Sequence, residues 1–135
     1  MTGVERDFWR VAELEITGRA AALGGNMETA IAKLKTAIEI DERRPPLGPI
    51  QGVGPRERLG DLLLSVGRGS EALEHYRRAI DLHPGRGRAL YGAARAAAAA
   101  RDAAAPSYWA ELANVWSKAD SDLPEVAELH RSLGR

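Results

Sequence analysis

The segment from Leu59 to Pro84, LGDLLLSVGRGSEALEHYRRAIDLHP, contains two helical apolar patterns joined by a short turn with two glycines. In each half, apolar residues recur at the three- and four-residue intervals that place side chains on one face of a helix. The glycines of the turn and the final proline mark where the two helices end. Because each helix has only one apolar face, the predicted hairpin needs neighbouring helices to bury it. This feature restricts the chain to folds in which helical hairpins pack side by side.

The remainder of the chain is also predicted to be helical. No window alternates apolar and polar residues over the length of a strand, and β-branched residues are sparse. Glycine, asparagine and proline interrupt the apolar patterns at intervals. These breaks predict seven helices, at approximately residues 4–23, 27–40, 55–66, 71–82, 87–100, 103–118 and 122–133.

Polar residues stand at several of the predicted helix starts. Thr2 and Glu5 have the S/T-x-x-E spacing of a capping box, in which each residue satisfies the backbone of the other. Asn26, Ser70 and Asp102 are placed to cap the second, fourth and sixth helices. The sequence therefore predicts where these helices begin as well as that they form.

The hairpin has the spacing of a known repeat. Counted back from its final proline, it fits a unit over residues 53–86. The residues at the consensus positions are Leu59, Gly60, Leu63, Ala72, Tyr76, Ala79 and Pro84. This pattern resembles the tetratricopeptide repeat of about 34 residues, and only Arg56 departs strongly from it. In that family the position of Gly60 is small because the partner helix crosses closely there.

Weaker copies of the same pattern lie on both sides. One copy covers residues 11–44 and is followed by the insertion PPLGPIQG at 45–52, and another covers residues 87–119. The tail WSKADSDLPEV resembles the ending of many bacterial tetratricopeptide proteins. The resemblance implies one domain over residues 1–135: an all-α solenoid of about three tetratricopeptide-type hairpins, closed by a capping helix at about 122–133.

Composition excludes several function classes. The 19 basic and 19 acidic side chains cancel, so the chain lacks the positive field that attracts nucleic acid or anionic membranes. It has no cysteine, no run of apolar residues long enough to span a bilayer, and charges where a secretory leader would be apolar. We therefore expect a cytoplasmic protein that binds neither nucleic acid nor membrane.

Signals of catalysis and cofactor binding are missing from the sequence. The three histidines have no metal-ligand spacing, and the glycine pairs belong to turns rather than to a phosphate-binding loop. Asp120 and Asp122 lack the glycine and the closing glutamate of a calcium loop, so we interpret them as helix-end residues. We expect no enzyme activity, no cofactor and no metal.

The resemblance implies a binding groove lined by the first helix of each hairpin, because family members bind peptides there. Seven charged or aromatic residues match the groove positions: Glu15, Arg19, Glu57, Asp61, Arg88, Tyr91 and Arg95. Glu15, Glu57 and Asp61 lie toward one end of such a groove, with Arg19 among them, and Arg88 and Arg95 lie toward the other end. The groove would therefore orient a peptide by its charge, with Tyr91 as an aromatic anchor. The alternative is a solvated face whose charges pair with one another.

The sequence thus predicts a protein-interaction module that binds a peptide or protein partner in this groove. Two alternatives stay open, namely a structural element for self-association or spacing, which would belong to a longer protein, and a regulatory subunit. Phe8, Trp9 and Trp116 are expected to be partly exposed at the ends of the array, and this exposure favours a homodimer.

Overall fold

The computed structural model describes residues 2–43, 53–117 and 123–134. Within these ranges the chain forms seven helices and no strand, so the prediction of an all-α chain is confirmed there. The predicted insertion at 45–52 and the residues Asp120 and Asp122 lie outside the described ranges. The helices are α1 (Gly3–Leu23), α2 (Met27–Arg43), α3 (Pro55–Ser65), α4 (Gly69–Leu82), α5 (Gly87–Ala99), α6 (Ala105–Val115) and α7 (Pro124–Ser132).

The helix starts match the sequence prediction in part. The Thr2 backbone N–H donates to the Glu5 carboxylate at 2.6 Å, and the Glu5 N–H donates to the Thr2 hydroxyl at 3.1 Å, which confirms the capping box. Asp102 accepts from the backbone N–H of Ala104 at 2.9 Å in the turn before α6, but the residue at the cap position is Ala104, so the prediction that Asp102 caps this helix is wrong. The prediction for Ser70 is wrong, because this exposed residue lies inside α4.

The start of α4 has a physical reason to differ from the prediction. Gly69 is buried, and a side chain there would meet the Ala96 carbonyl of α5 at 3.3 Å. The residue that occupies the cap position is Arg68, whose guanidinium is 2.8 Å from the Glu71 carboxylate. Because Gly69 packs closely against α5, α4 begins one residue before Ser70.

The chain divides into two compact units, Met1–Leu59 and Gly60–Arg135, and the boundary falls within α3. In the first unit, α1 and α2 pack against each other as a hairpin. Their contact buries Val11 and Leu14 of α1 against Ala37 and Ile40 of α2. A single domain with the predicted repeat boundaries stays a prediction.

In the second unit, α5 packs against both α4 and α6, and α6 packs against α7. The core is built from a leucine and an alanine of α5 and from large residues of the helices that follow. Its buried members are Leu90, Ala94, Trp109, Leu112 and Leu129. The side of α5 that carries Leu90 and Ala94 is therefore covered, and α7 contributes to the cover through Leu129.

The ring of Tyr76 occupies a space that two glycines leave free in the second unit. A Cβ atom at Gly60 would lie 2.7 Å from Cζ of this ring, and a Cβ atom at Gly92 would overlap Cε1. Tyr76 is 1% exposed as a result. The close approach predicted at Gly60 is thus present, and Gly92 makes a second one on α5.

Candidate functional site

A cleft of about 280 Å³ lies in the second unit, with α3 and α5 as its walls. We name it the α3–α5 cleft. It is lined by Asp61, Leu64, Ser65, Tyr76, Arg88, Tyr91, Gly92 and Arg95. Four of the seven predicted groove residues belong to this lining, so the structure brings this part of the predicted site together.

Helical geometry explains why three of these residues come from α5. Arg88, Tyr91 and Arg95 are separated by three and four residues, a spacing that places side chains on one face of a helix. Leu90 and Ala94 lie on another face and are buried in the core. Packing of one side of α5 therefore directs the other side toward the cleft.

The carboxylate of Asp61 is the polar centre of the α3 wall. It accepts a hydrogen bond from the Tyr76 hydroxyl, and a second oxygen is 2.5 Å from the Arg88 guanidinium. The pKa of Tyr76 is raised well above its usual value, mainly by burial and secondly by the hydrogen bond to Asp61. The tyrosine therefore stays protonated, and its neutral hydroxyl donates the hydrogen bond to Asp61.

A second carboxylate, that of Glu128 on α7, is paired in the same way. It accepts from the Tyr91 hydroxyl at 2.5 Å and lies 3.5 Å from Nε of Arg95. The Arg95 guanidinium also stands 5.4 Å from the centre of the Tyr91 ring, within the range of a cation–π contact. The pKa of Tyr91 is raised to about 12, mainly by burial and secondly by the hydrogen bond to Glu128.

Sequence reasoning missed Glu128, which lay in a segment predicted only to cap the fold. The available signal was the pair of apolar residues Val126 and Leu129, which are buried in the structure. Leu129 packs with Leu90 and Ala94 of α5. A helix docked in this way brings its polar residue 128 beside the exposed face of α5.

A second cleft, of about 360 Å³, adjoins the first because Arg88 and Tyr91 line both. Its other lining residues are Trp116, Leu123, Glu125 and Val126. The Tyr91 ring lies 5.6 Å from the Trp116 ring and 6.1 Å from the Trp109 ring, measured between centroids. Trp116 is half-buried against Tyr91, which agrees with the partial exposure predicted for it.

The other three predicted groove residues belong to the first unit. Glu15 lies 3.5 Å from the guanidinium of Arg58, and Arg19 is exposed. Glu57 is buried, with 1% of its surface exposed, so it does not face solvent in this structure. A groove that extends from these residues to the α3–α5 cleft stays a prediction.

The described part of the chain contains no group of three or more acidic, histidine or cysteine side chains arranged to hold a metal ion. Nor does any helix in the described part have the length and apolar character needed to cross a membrane.

The fold is similar to that of PcrH from Pseudomonas aeruginosa, known from its crystal structure. The TM-score is 0.69, and the match covers 92% of this chain and 89% of PcrH at 15% sequence identity. PcrH is a tetratricopeptide-like helical-repeat protein, so this chain has a helical-repeat, tetratricopeptide-like fold. The predicted fold class is thereby confirmed. By sequence, neither a protein-family model nor a curated protein matches the chain.

Proposed function

We propose that this protein is an interaction module of the tetratricopeptide type, which binds a peptide segment of a partner protein in the α3–α5 cleft. The observation that carries this proposal is the presence of Arg88, Tyr91 and Arg95 together on one accessible face of α5. Arginine and tyrosine are enriched among the residues that dominate protein interfaces.

The size of the cleft is compatible with the side chains of a peptide. Pockets for small ligands usually measure roughly 300–1,000 Å³ and enclose most of the ligand. The α3–α5 cleft, at about 280 Å³, lies just below that range. It has room for one or two side chains of a longer segment, whose backbone then runs along the surface.

The charged residues of the cleft are available to a ligand. The side chains of Arg88 and Asp61 are 51% and 42% exposed, and that of Arg95 is 48% exposed. Exposed ion pairs of this kind are worth roughly 0–1 kcal/mol, so replacing one side chain of the pair by a group of the ligand costs little. A peptide carboxylate can replace Asp61 on Arg88, while a peptide N–H can donate to Asp61.

The same fold also supports a second candidate function, self-association. The observation in its favour is that Phe8 and Trp9 of α1 are 50% and 62% exposed. Exposed aromatic residues that lie side by side are common in interfaces between proteins. For either function we propose a cytoplasmic location, in line with a chain that has no cysteine to form disulfides.

A screen of displayed peptides tests the first proposal. The wild type is compared with the double variant Arg88→Gln/Arg95→Gln and with the control Arg78→Gln/Arg131→Gln. The control removes the same charge from two exposed positions that do not line the cleft. We expect peptides selected on the wild type to bind the control equally and the cleft variant at least roughly tenfold more weakly.

Circular dichroism melting first establishes that both double variants are folded. Equal binding of the selected peptides by all three proteins would contradict the proposal. Failure to select any peptide above background would contradict it as well.

A further inference from the structure

Helix α1 has a second apolar face in addition to the one that packs on α2. Val11, Leu14 and Gly18 are the buried residues of this helix. Another set of apolar residues is exposed. The large members of this set are Phe8 at 50%, Trp9 at 62%, Ile16 at 69% and Leu23 at 82%, and the small members on the same side are the half-buried Ala12 and the exposed Ala20. We name these six residues the α1 stripe.

The α1 stripe is straight and long. Trp9, Ile16 and Leu23 are each seven residues apart, and a seven-residue step drifts by only about 20° around a helix. Ala12 and Ala20 lie between them on the same side, and Phe8 packs edge-to-face on Trp9 with ring centroids 5.3 Å apart. At about 1.5 Å per residue, the stripe runs for roughly 22 Å along the helix. An apolar face of this shape fits another helix.

We propose that the α1 stripe is a self-association surface, on which the α1 helices of two copies of this chain pair in antiparallel orientation, with Ile16 at the two-fold axis. This inference refines the self-association candidate and is independent of the α3–α5 cleft. The stripe belongs to the first unit and the cleft to the second.

The symmetry of the stripe supports a second copy as its partner. Ile16 lies midway between Trp9 and Leu23, so an antiparallel pair centred on Ile16 overlaps along the whole stripe. In this register Trp9 of one copy is level with Leu23 of the other. Ala12 is likewise level with Ala20, and these two small residues permit close approach of the helix axes. The same patch on both copies forms the contact, as a two-fold interface requires.

The helix dipoles favour the antiparallel orientation, because they oppose each other in this pair.

The exposed area is large enough for a dimer. Large apolar and aromatic side chains bury up to roughly 150–250 Å² each, so the exposed fractions of the four large stripe residues sum to on the order of 500 Å² per copy. Two copies would bury on the order of 1,000 Å² before the flanking polar atoms are included. This meets the lower limit of roughly 1,000 Å² for a specific interface.

Analytical ultracentrifugation of the full chain tests whether the stripe associates. We expect the wild type to be a dimer at about 0.1 mM. We expect the dimer dissociation constant of Ile16→Lys to be at least roughly 100-fold higher, because the variant places two lysines at the two-fold axis. The matched control is Val115→Lys, which changes another exposed apolar residue, 43% exposed on α6, outside the stripe. A monomeric wild type would overturn the proposal, and so would equal dissociation of all three proteins.

Cysteine cross-linking tests the orientation, and the natural absence of cysteine leaves no background. Ala12→Cys and Ala20→Cys are small changes that keep the large stripe residues. We expect a mixture of the two variants to form a cross-linked heterodimer under oxidation. Each variant alone should cross-link poorly, because copies of residue 12 would be roughly 12 Å apart along the axis. Efficient cross-linking of Ala12→Cys alone, without the mixed product, would indicate a parallel pair and overturn the proposal.

Discussion

The hydroxyl of Tyr76 donates a hydrogen bond to the carboxylate of Asp61, and this bond joins α4 to the wall of the α3–α5 cleft. The tyrosine is the largest fully buried side chain, whereas Asp61 is partly exposed to a ligand. A residue of the core therefore fixes the position of a residue of the site. The stability of the second unit and the geometry of its cleft are thus coupled through one hydrogen bond.

Tyr76→Phe removes this hydrogen bond and keeps the ring. We expect the free energy of unfolding to fall by about 1–2 kcal/mol, because the bond connects a buried donor to a charged acceptor. Urea denaturation measures the change. In a double-mutant cycle with Asp61→Asn the two effects should be less than additive, since each change disrupts the same bond. Strict additivity would mean that the bond contributes nothing.

Gly92→Ala should destabilise the protein by about 1–3 kcal/mol, since the added methyl group overlaps the Tyr76 ring. Gly3→Ala is the matched control, because a Cβ atom at Gly3 has no neighbour within 4 Å. Thermal melting should show a lower Tm for the first variant only. The loss should be smaller in a Tyr76→Leu background, where the ring is absent. A Gly92→Ala protein as stable as the wild type would contradict the close approach.

Alkaline pH should destabilise the second unit through Tyr91. Its pKa in the folded chain is raised to about 12, above the value of about 10 for a free tyrosine. The stabilisation that accompanies this raised pKa is complete below about pH 10 and is lost as the pH rises toward 12. Denaturation at several pH values should show the loss, and Tyr91→Phe should reduce it. A Tyr91→Phe protein with the same alkaline pH dependence would contradict the assignment.

Thr2→Ala should weaken the start of α1, because it removes one half of the capping box with Glu5. The expected cost is about 1 kcal/mol or less, since the site is exposed at the helix end. Hydrogen exchange should be faster for the first turn of α1 and unchanged in α4 and α5. Thr2→Ser keeps the hydroxyl and should behave as the wild type. Equal exchange in both variants would show that the cap is not formed.

Sequence reasoning succeeded where the signal is local. The capping box of Thr2 and Glu5 follows from spacing along the chain, and the close approach at Gly60 follows from the resemblance to the repeat. It failed at Ser70, because tight packing of α4 on α5 determined where the helix starts.

The polar pairs of the site were beyond the reach of the sequence for a different reason. Tyr91 and Glu128 are 37 residues apart, and their contact exists only because α7 docks on α5. Four of the predicted groove residues line the α3–α5 cleft, and helical spacing places Arg88, Tyr91 and Arg95 on one face of α5. Their role in binding stays a prediction. The position of Glu128, which pairs with Tyr91 and Arg95, depends on tertiary packing, which spacing does not describe.

Glu128→Gln tests how much the contacts of Glu128 with Tyr91 and Arg95 contribute to the docking of α7. The substitution keeps the shape of the side chain and removes the charge that both Tyr91 and Arg95 contact. We expect faster hydrogen exchange throughout α7, because its remaining anchors on the core are apolar residues, Val126, Leu129 and Leu133.

The pKa of Tyr91 should fall in the same variant, because a neutral amide stabilises the protonated hydroxyl less than a carboxylate does. Glu111→Gln on α6 is the control, since it removes an exposed carboxylate that does not contact Tyr91. Exchange in α7 equal to that of the wild type would show that apolar contacts alone dock this helix. A peptide that binds Arg95 should then compete with Glu128 without releasing α7.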